Sequence, residues 1–337
     1  MKFEHKYPDA QKTDRYEFEY SFVTKSIRLG ECRCCGSLTK WFDILFQINV
    51  CSEECCSELW NKYKNDLNTK SKYENFDNHF NTIKNEINLL KNYKEIKKDI
   101  IIIVKDQLEY FKECIESIER YTQEYNLFIW DNDSEHETKK YLDLIKSSSV
   151  AVKHSEKNIG FILSNNQLIS NCSSPYVILL NSDTKVFENW DKLMITFLEN
   201  NKDFAQVGYW GGHLDQDGRG FGGANGEEID YVPGWCFCIS RDTYQEFGLF
   251  DENLKFAYFE DSDFSLRLKK AGKRIYSLYS PLVYHHQNKT VKAVEKEGDI
   301  DLRKTFDHNH AYFKNKWVDY LSKERVVISK QFANGQS

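Results

Sequence analysis

The stretch "DIIIIVKDQLEYFKECIESI", residues 99–118, joins a strand-like segment to a helix-like one. Its four consecutive isoleucines, at positions 100–103, form a continuous apolar run, which is typical of a parallel strand covered on both faces. Leu108, Phe111 and Ile115 then recur at intervals of three and four residues, which predicts a helix with one apolar face. A buried strand followed by such a helix is the first half of a βαβ unit.

The same alternation continues to about residue 183. Strand-like segments are "LFIWDND" (127–133), "VAVKHS" (150–155) and "YVILLNSD" (176–183), and the helix-like segments between them are "TKKYLDLI" (138–145) and "NNQLISNC" (165–172). This order predicts an α/β fold whose mostly parallel sheet is flanked by helices. Ligands of such sheets bind at the carboxyl ends of the strands, where Asp131, Asp133 and Asp183 fall.

The composition indicates a folded protein with no electrostatic attraction to polyanions. The chain has 337 residues, 40% of them hydrophobic, and a net charge of −6. We therefore expect no nucleic acid as a partner. The longest apolar run, residues 100–104, is too short for a transmembrane segment, and the first 20 residues lack the apolar core of a signal peptide. The sequence predicts a cytoplasmic location, and peripheral membrane association stays open.

The pattern divides the chain into four regions. We predict a zinc-binding module over residues 1–60, a helical linker over 61–98, the α/β domain over 99–290 and a helical C-terminal extension over 291–337. The linker is rich in Lys, Asn and Glu and has apolar residues near helical spacing. The extension has aromatic residues at similar spacing.

The zinc prediction rests on two cysteine pairs. Cys32 and Cys35 are separated by two residues and Cys51 and Cys55 by three, with fifteen residues between the pairs. Four thiolates from two such corners suit a tetrahedral, structural Zn²⁺ ion, and the pattern resembles a treble-clef zinc finger. Free thiols or redox-sensing cysteines are the alternative.

Residues 259–272, "FEDSDFSLRLKKAG", predict a helix with an acidic start. Asp263 and Arg267 are four residues apart and suit an ion pair on one helix face, and Gly272 suits the helix end. Glu260 and Asp261 are left without a necessary structural partner. This helix start is therefore a candidate site.

Seven motifs in order give the region 99–286 a resemblance to a known family. They are "IIIIVKDQLEYFKECIESI", "WDNDSEHET", "KNIGFILSNNQ", "VILLNSDTKVFENW", "VPGWCFCISRDTYQEFGLFDE", "FEDSDFSLRLKKAGKRI" and "LVYHH". The region resembles a family 2 glycosyltransferase with the GT-A fold, and most of all the rhamnosyltransferase-like branch. The family's metal motif often has two Asp residues separated by one, whereas this chain has Asn181, Ser182 and Asp183.

The resemblance implies a donor and metal site. Asp131 and Asp133 would contact the nucleotide's base and ribose, and the Asn181-Ser182-Asp183 motif the nucleotide-sugar. Asp183 would bind a catalytic Mn²⁺ or Mg²⁺ ion at the diphosphate, and His285 would complete its shell. A hydrogen-bonded core histidine is the alternative for His285.

The resemblance also implies how the sugar would move. Asp261 would be the base that deprotonates the acceptor, with Glu260 beside it, and attack opposite the leaving diphosphate would invert the anomeric carbon. Asn158 and Gly160 lie where relatives bind the donor. Trp235 would stack on a sugar or belong to the core.

The sequence therefore predicts an inverting, metal-dependent glycosyltransferase. Its donor would be a UDP-, dTDP- or GDP-sugar, and its acceptor a glycan, a lipid-linked saccharide or a protein. A zinc-bearing interaction protein with a degenerate transferase domain is the alternative. A nucleotidyltransferase is disfavoured because no glycine-rich loop follows the first strand.

A glycine-rich segment, residues 209–230, contains seven glycines. We expect it to be too loose for a strand and to form a mobile lid or an acceptor-facing loop, with a plain surface insertion as the alternative.

Overall fold

The computed structural model describes six segments of the chain. The described residues are 15–18, 21–31, 38–43, 48–49, 82–286 and 301–334, with side chains from 82 to 322 except at 92 and 222. The chain divides into two compact units, Met1–Asn88 and Leu89–Ser337. The predicted zinc ligands Cys32, Cys35, Cys51 and Cys55 lie outside the described residues, as does most of the predicted linker, so both stay predictions.

The first unit contains a small antiparallel sheet. Its strands are β1 (Arg15–Phe18), β2 (Ser21–Glu31), β3 (Leu38–Asp43) and β4 (Ile48–Asn49), paired in that order. A helix, α1 (residues 82–89), ends in a 3₁₀ turn at Leu90–Asn92.

The second unit alternates strands and helices. Its strands are β5 (Lys98–Val104), β6 (Tyr125–Asp131), β7 (Val150–His154), β8 (Tyr176–Leu180), β9 (Thr184–Val186), β10 (Phe204–Tyr209), β11 (Gly211–Leu214), β12 (Gly220–Ala224), β13 (Cys236–Ser240), β14 (Arg274–Leu278) and β15 (Val283–His285). Its helices are α2 (Leu108–Tyr121), α3 (His136–Ile145), α4 (Gly160–Ile169), α5 (Trp190–Asn200), α6 (Arg241–Phe247), α7 (Glu260–Lys270) and α8 (Leu302–Asn334).

Seven strands form the central sheet, in the order β14-β10-β13-β8-β5-β6-β7. Six of them run in one direction, and only β13 is antiparallel to its neighbours β8 and β10. The predicted α/β fold with a mostly parallel sheet and flanking helices is confirmed. Because β5, β6 and β8 are parallel, their carboxyl ends lie at one edge of the sheet.

The isoleucine run of β5 serves both faces of this sheet. Ile100 and Ile102 belong to the core cluster on one face, and Ile101 to the cluster on the other. All three are 0% exposed, and each contributes about 1.5–3 kcal/mol to stability through burial. This two-sided burial explains why the sequence does not alternate here.

Two local predictions are wrong. Helix α4 begins at Gly160, five residues before the predicted start. Ser164 and Asn165 are buried there and donate to the Gly160 and Phe161 carbonyls of the first turn. The glycine-rich segment, predicted to be too loose for a strand, forms the hairpin of β11 and β12. Its glycines allow close packing: a Cβ atom at Gly212 or Gly220 would lie 2.7 Å from Tyr231.

Within the predicted C-terminal extension, Leu302–Asn334 form helix α8, which packs on the rest of the second unit through its aromatic residues. Phe313 and Trp317 are 0% and 2% exposed. Within the part of the chain that the structure describes, no helix has the length and apolar character needed to span a bilayer.

Candidate active site

A cavity of about 320 Å³ opens at the carboxyl edge of the central sheet. The ends of β5, β6 and β8 contribute Lys105, Asn132, Asn181 and Ser182. The remaining lining residues are Ile103, Asn158, Phe161, Pro233, Gly234, Trp235, Phe256, Ala257, Tyr258, Phe259, Glu260, Asp261, His285 and Leu302. The cavity thus lies where a mostly parallel sheet is expected to bind its ligand.

Asp183 and His285 are brought together by a short two-stranded ladder. β15 pairs with β9 so that His285 faces Thr184, the residue after Asp183. The His285 Nε2 and Asp183 Oδ1 atoms are 3.0 Å apart, and Asp183 is 3% exposed. The imidazole also stacks on Trp235, with ring centroids 5.0 Å apart and an angle of 15° between the planes. A carboxylate, an imidazole and an aromatic face therefore form one side of the site.

His286 points away from His285, as strand alternation predicts. Its Nε2 atom lies 2.7 Å from Oε2 of Glu113, whose other oxygen is 3.2 Å from the Lys185 ammonium. Burial opposes ionisation of Glu113, but the hydrogen bond with His286 and the charge of Lys185 outweigh it and lower the pKa of this carboxyl. Glu113 thus joins Lys185 of β9 to His286, which follows β15, and these buried contacts stabilise the ladder.

Both carboxylate oxygens of Asp131 have partners within the protein. It is 0% exposed, its Oδ1 accepts the Ser134 N–H at 2.8 Å, and its Oδ2 lies 2.7 Å from Nδ1 of His154. Asp133 has a left-handed backbone, with φ of 65°, and its carboxylate lies 3.1 Å from the Lys139 ammonium. Both residues shape the turn after β6, and neither lines the cavity.

Asn158 and Gly160 form the start of helix α4. Asn158 Oδ1 accepts the Gly160 N–H at 3.0 Å. Gly160 has φ of 84°, and a Cβ atom there would lie 2.7 Å from the Phe256 backbone. Only glycine meets both requirements. Gly160 therefore fixes the wall of the cavity, which Asn158 lines directly.

Glu260 and Asp261 lie at the N-terminal end of helix α7 and line the cavity. Asp261 Oδ2 accepts the Gly234 N–H at 3.0 Å, and its Oδ1 accepts the Ser262 N–H at 2.7 Å. Glu260 is 7% exposed, and its Oε2 atom has no hydrogen-bond partner within the described residues. Burial and the nearby Asp261 charge raise the pKa of Glu260 to about 8. Burial also raises the pKa of Asp261, against the hydrogen bonds that it accepts.

The structure brings seven of the predicted site residues to the cavity. They are Asn158, Asn181, Ser182, Trp235, Glu260, Asp261 and His285. Asp183 contacts the lining residue His285, whereas Asp131, Asp133 and Gly160 do not line the cavity.

Sequence reasoning missed three lining residues that have polar side chains. Lys105 follows β5 directly and donates to the Asp133 carbonyl at 2.7 Å. Asn132 lies between the two predicted acids, and its Oδ1 accepts the Ile159 N–H at 2.9 Å. Both stand at strand ends, which is the signal that could have identified them. Tyr258 lies in a loop with no such signal.

Within the described residues, no three His, Cys, Asp or Glu side chains come together as a metal site. On the side of the cavity formed by β9 and β15, Asp183 and His285 offer one carboxylate and one imidazole. Such a pair fits part of the shell of a Mn²⁺ or Mg²⁺ ion that takes its other ligands from a bound diphosphate and water.

Family comparisons agree with this geometry. Residues 99–224 match the family described as Glycosyl transferase family 2, and residues 223–298 match the one described as Glycosyltransferase like family 2. Together the two family matches span residues 99–298. No curated protein sequence matches the chain significantly.

One solved structure supports the fold of this chain. GalNAc-T7 with UDP, GalNAc and Mn²⁺ has a TM-score of 0.51 at 15% identity, over 61% of this chain and 48% of that one. The present chain thus spans about half the length of that protein. Lower scores belong to the mannosyltransferase PcManGT from Pyrobaculum calidifontis with GDP-Man and Mn²⁺ (0.45, 11% identity, 59% and 63% covered) and to S. aureus TarS 1–349 (0.46, 16% identity, 67% and 72% covered).

Proposed function

We propose that this chain is an inverting, metal-dependent glycosyltransferase that moves a sugar from a nucleotide-diphosphate donor to a hydroxyl-bearing acceptor. The proposal rests on one observation. Asp261 lines the cavity at the carboxyl edge of the sheet, and the Asp183–His285 pair adjoins the same cavity. The family matches support the transferase class. The rhamnosyltransferase-like branch remains part of the proposal, on the motifs alone.

The donor would occupy the strand side of the cavity. Asn158, Asn181 and Ser182 present polar groups there, and Trp235 offers a ring on which a sugar could stack. Asp131 and Asp133 would act on the nucleotide by holding the turn after β6. UDP-, dTDP- and GDP-sugars are the candidate donors, and the UDP and Mn²⁺ bound by GalNAc-T7 favour testing UDP-sugars first.

Asp183 and His285 would hold the divalent cation. When bound, the cation neutralises the charge that develops on the diphosphate leaving group. The His285 ring is oriented for this by its stack on Trp235, and the His286–Glu113 pair fixes the strand that carries it. The chain therefore supplies a prearranged pair of unlike ligands.

Asp261 would accept the proton of the acceptor hydroxyl. Its two oxygens already accept N–H groups of Gly234 and Ser262, and these bonds orient the carboxylate while leaving lone pairs for the acceptor. Attack then comes from the wall opposite the leaving group, so that the anomeric configuration inverts. A base in this position contributes about 10²–10⁴-fold to the rate.

Glu260 would remain protonated at neutral pH, because its pKa is raised to about 8. The pair then carries one negative charge, which suits a single proton acceptor. The Glu260 carboxyl can donate a hydrogen bond into the acceptor site. A glycan, a lipid-linked saccharide or a protein side chain would bring the hydroxyl.

Calorimetric titration with UDP-, dTDP- and GDP-sugars, with and without Mn²⁺, tests this function. We expect at least one donor to bind more tightly with Mn²⁺, and Asp183→Asn to remove that gain. If the folded protein binds none of these donors, the transferase function is wrong, and the degenerate interaction protein becomes the better account.

We also propose that residues 1–60 hold a structural Zn²⁺ ion through Cys32, Cys35, Cys51 and Cys55. The support is the spacing of the two pairs. Metal analysis of freshly purified protein should give one equivalent of zinc, and Cys32→Ser should lose it. Less than a molar equivalent in the wild-type protein would refute the site.

A further inference from the structure

The loop before helix α7, residues 255–259, has a costly backbone conformation. Phe256, Tyr258 and Phe259 have φ values of 61°, 83° and 69°, in the left-handed region that bulky residues seldom adopt. Each such residue costs about 1–3 kcal/mol and persists only when its surroundings impose it. Most of this loop lines the cavity, and it leads directly into Glu260.

Asn309 of helix α8 binds the backbone of this loop at four points. Its Oδ1 accepts the Lys255 N–H at 2.7 Å. Its Nδ2 donates to the carbonyls of Lys255 and Ala257, both at 2.8 Å, and lies 3.2 Å from the Tyr258 carbonyl. Asn309 is 0% exposed, so the whole carboxamide is used by the loop. No residue with only donors or only acceptors could replace it.

The side chains of α8 hold the last residue of the loop as well. The Phe259 ring packs against Phe306, His310 and Phe313, with centroids 5.0, 5.5 and 5.2 Å apart. Helix α8 is in turn tied to α7, because the Trp317 N–H donates to Asp263 at 2.8 Å. The loop is therefore fixed by one helix at both its backbone and its aromatic end.

The loop also meets the donor side of the cavity. The Phe256 carbonyl accepts the Ile162 N–H at 3.1 Å, and Gly160 packs against the Phe256 backbone. Its far end sets where Glu260 and Asp261 enter the cavity. A loop in this position determines the distance between the two walls.

We propose that Asn309 is a positioning residue, which holds loop 255–259 in its left-handed conformation and thereby places Asp261 for proton transfer. This role rests on the proposed transferase function. It makes the C-terminal helix a part of the acceptor site without contact between Asn309 and the substrate. A misplacement of about 1 Å at a reacting group can cost about 10²-fold in rate.

The test compares two asparagines that bind loop backbone. Asn309→Leu removes the clamp on the cavity loop. Asn166→Leu is the matched control, because its carboxamide accepts the Phe250 N–H at 3.0 Å and donates to the Phe250 carbonyl at 2.9 Å, on a loop segment outside the cavity lining. Asn309→Asp is the second variant if Asn309→Leu does not fold, since it keeps the size and loses the donated bonds.

Three quantities are measured on the full-length variants: UDP, dTDP and GDP binding with Mn²⁺, the rate at which water hydrolyses the matching nucleotide-sugars, and amide hydrogen exchange. We expect the Asn309 variant to bind nucleotide within about threefold of wild type and to lose about 30-fold or more in hydrolysis, within the range for misplaced groups. Amides of residues 255–259 should exchange faster in this variant alone.

Equal hydrolysis rates in the Asn309 and Asn166 variants, per folded molecule, would overturn the positioning role. Unchanged exchange at residues 255–259 in the Asn309 variant would also overturn it. A wild-type protein that neither binds a nucleotide nor hydrolyses a donor would overturn the proposed function itself, which is a separate outcome.

Discussion

Two carboxylates on helix α7, only two residues apart, have opposite surroundings. Asp263 is 0% exposed and has cations on both oxygens: Arg267 Nε lies 3.0 Å from one, and Lys316 Nζ lies 2.7 Å from the other. Trp317 adds a hydrogen bond. Asp261 accepts N–H groups of Gly234 and Ser262 and faces the cavity.

The difference shows how one acidic helix start can serve both structure and chemistry. A carboxylate that is neutralised by two cations is a poor proton acceptor and a strong tether. A carboxylate held only by neutral donors, here two N–H groups and the Ser262 hydroxyl, keeps its charge available in a partly desolvated site. The cations, not the sequence position, separate the two roles.

The largest expected effect is on activity. Asp261→Asn should lower nucleotide-sugar hydrolysis by about 10³-fold, because the amide cannot accept the proton. Donor binding and the melting temperature should stay close to wild type, as measured by calorimetry and circular dichroism. Activity near the wild-type level would remove Asp261 from the base role.

Asp263→Asn should act on stability instead. It leaves the Lys316 and Arg267 charges without their buried partner, which costs about 3–5 kcal/mol of unfolding free energy. Urea unfolding measures the loss. Asp261→Asn is its matched control on the same helix, and an equal loss in both variants would contradict the assigned difference.

Asp183→Asn should weaken nucleotide binding in Mn²⁺ by about 10–100-fold, the usual range when a metal site is impaired. Binding without metal should change little. Titrations with UDP, dTDP and GDP at fixed Mn²⁺ measure this effect. An unchanged response to Mn²⁺ would place the cation elsewhere.

The smallest effect concerns Glu260 and pH. Its pKa rises from 4.5 to about 8 on folding, so the folded chain keeps this proton after the unfolded chain has released it. The free energy of unfolding should therefore fall as pH rises from about 4.5 to about 8. Glu260→Gln should flatten this slope and raise stability at pH 8.

Urea titrations at pH 5, 6, 7 and 8 measure that slope. Because glutamine resembles the protonated acid, hydrolysis at pH 7 should change by less than about fivefold. A slope identical to wild type would show that Glu260 titrates normally.

Local pattern predicted much of the central sheet. The isoleucines of β5 and the apolar run of β8 showed strands buried on both faces, and the acids after them indicated the binding edge. The four-residue spacing of Asp263 and Arg267 predicted their ion pair, which the structure confirms at 3.0 Å.

Long-range contacts set what the pattern could not predict. The left-handed backbone of Phe256, Tyr258 and Phe259 contradicts local preference. This loop is hydrogen-bonded by Asn309, some 50 residues further along the chain. His154, which pairs with Asp131, gave no signal in a strand of mixed polarity. The hairpin of β11 and β12 was not predicted from the sequence, because its glycines pack against Tyr231, a contact that local sequence does not show.

The proposed reaction is a single displacement of the nucleotide diphosphate, with Asp261 as the base. Proton NMR of the first sugar that water releases from a nucleotide-sugar, recorded before mutarotation, tests it most directly. We expect inversion: an α-linked donor gives the β sugar first, and a β-linked donor the α sugar. Retention of the donor's configuration would contradict it.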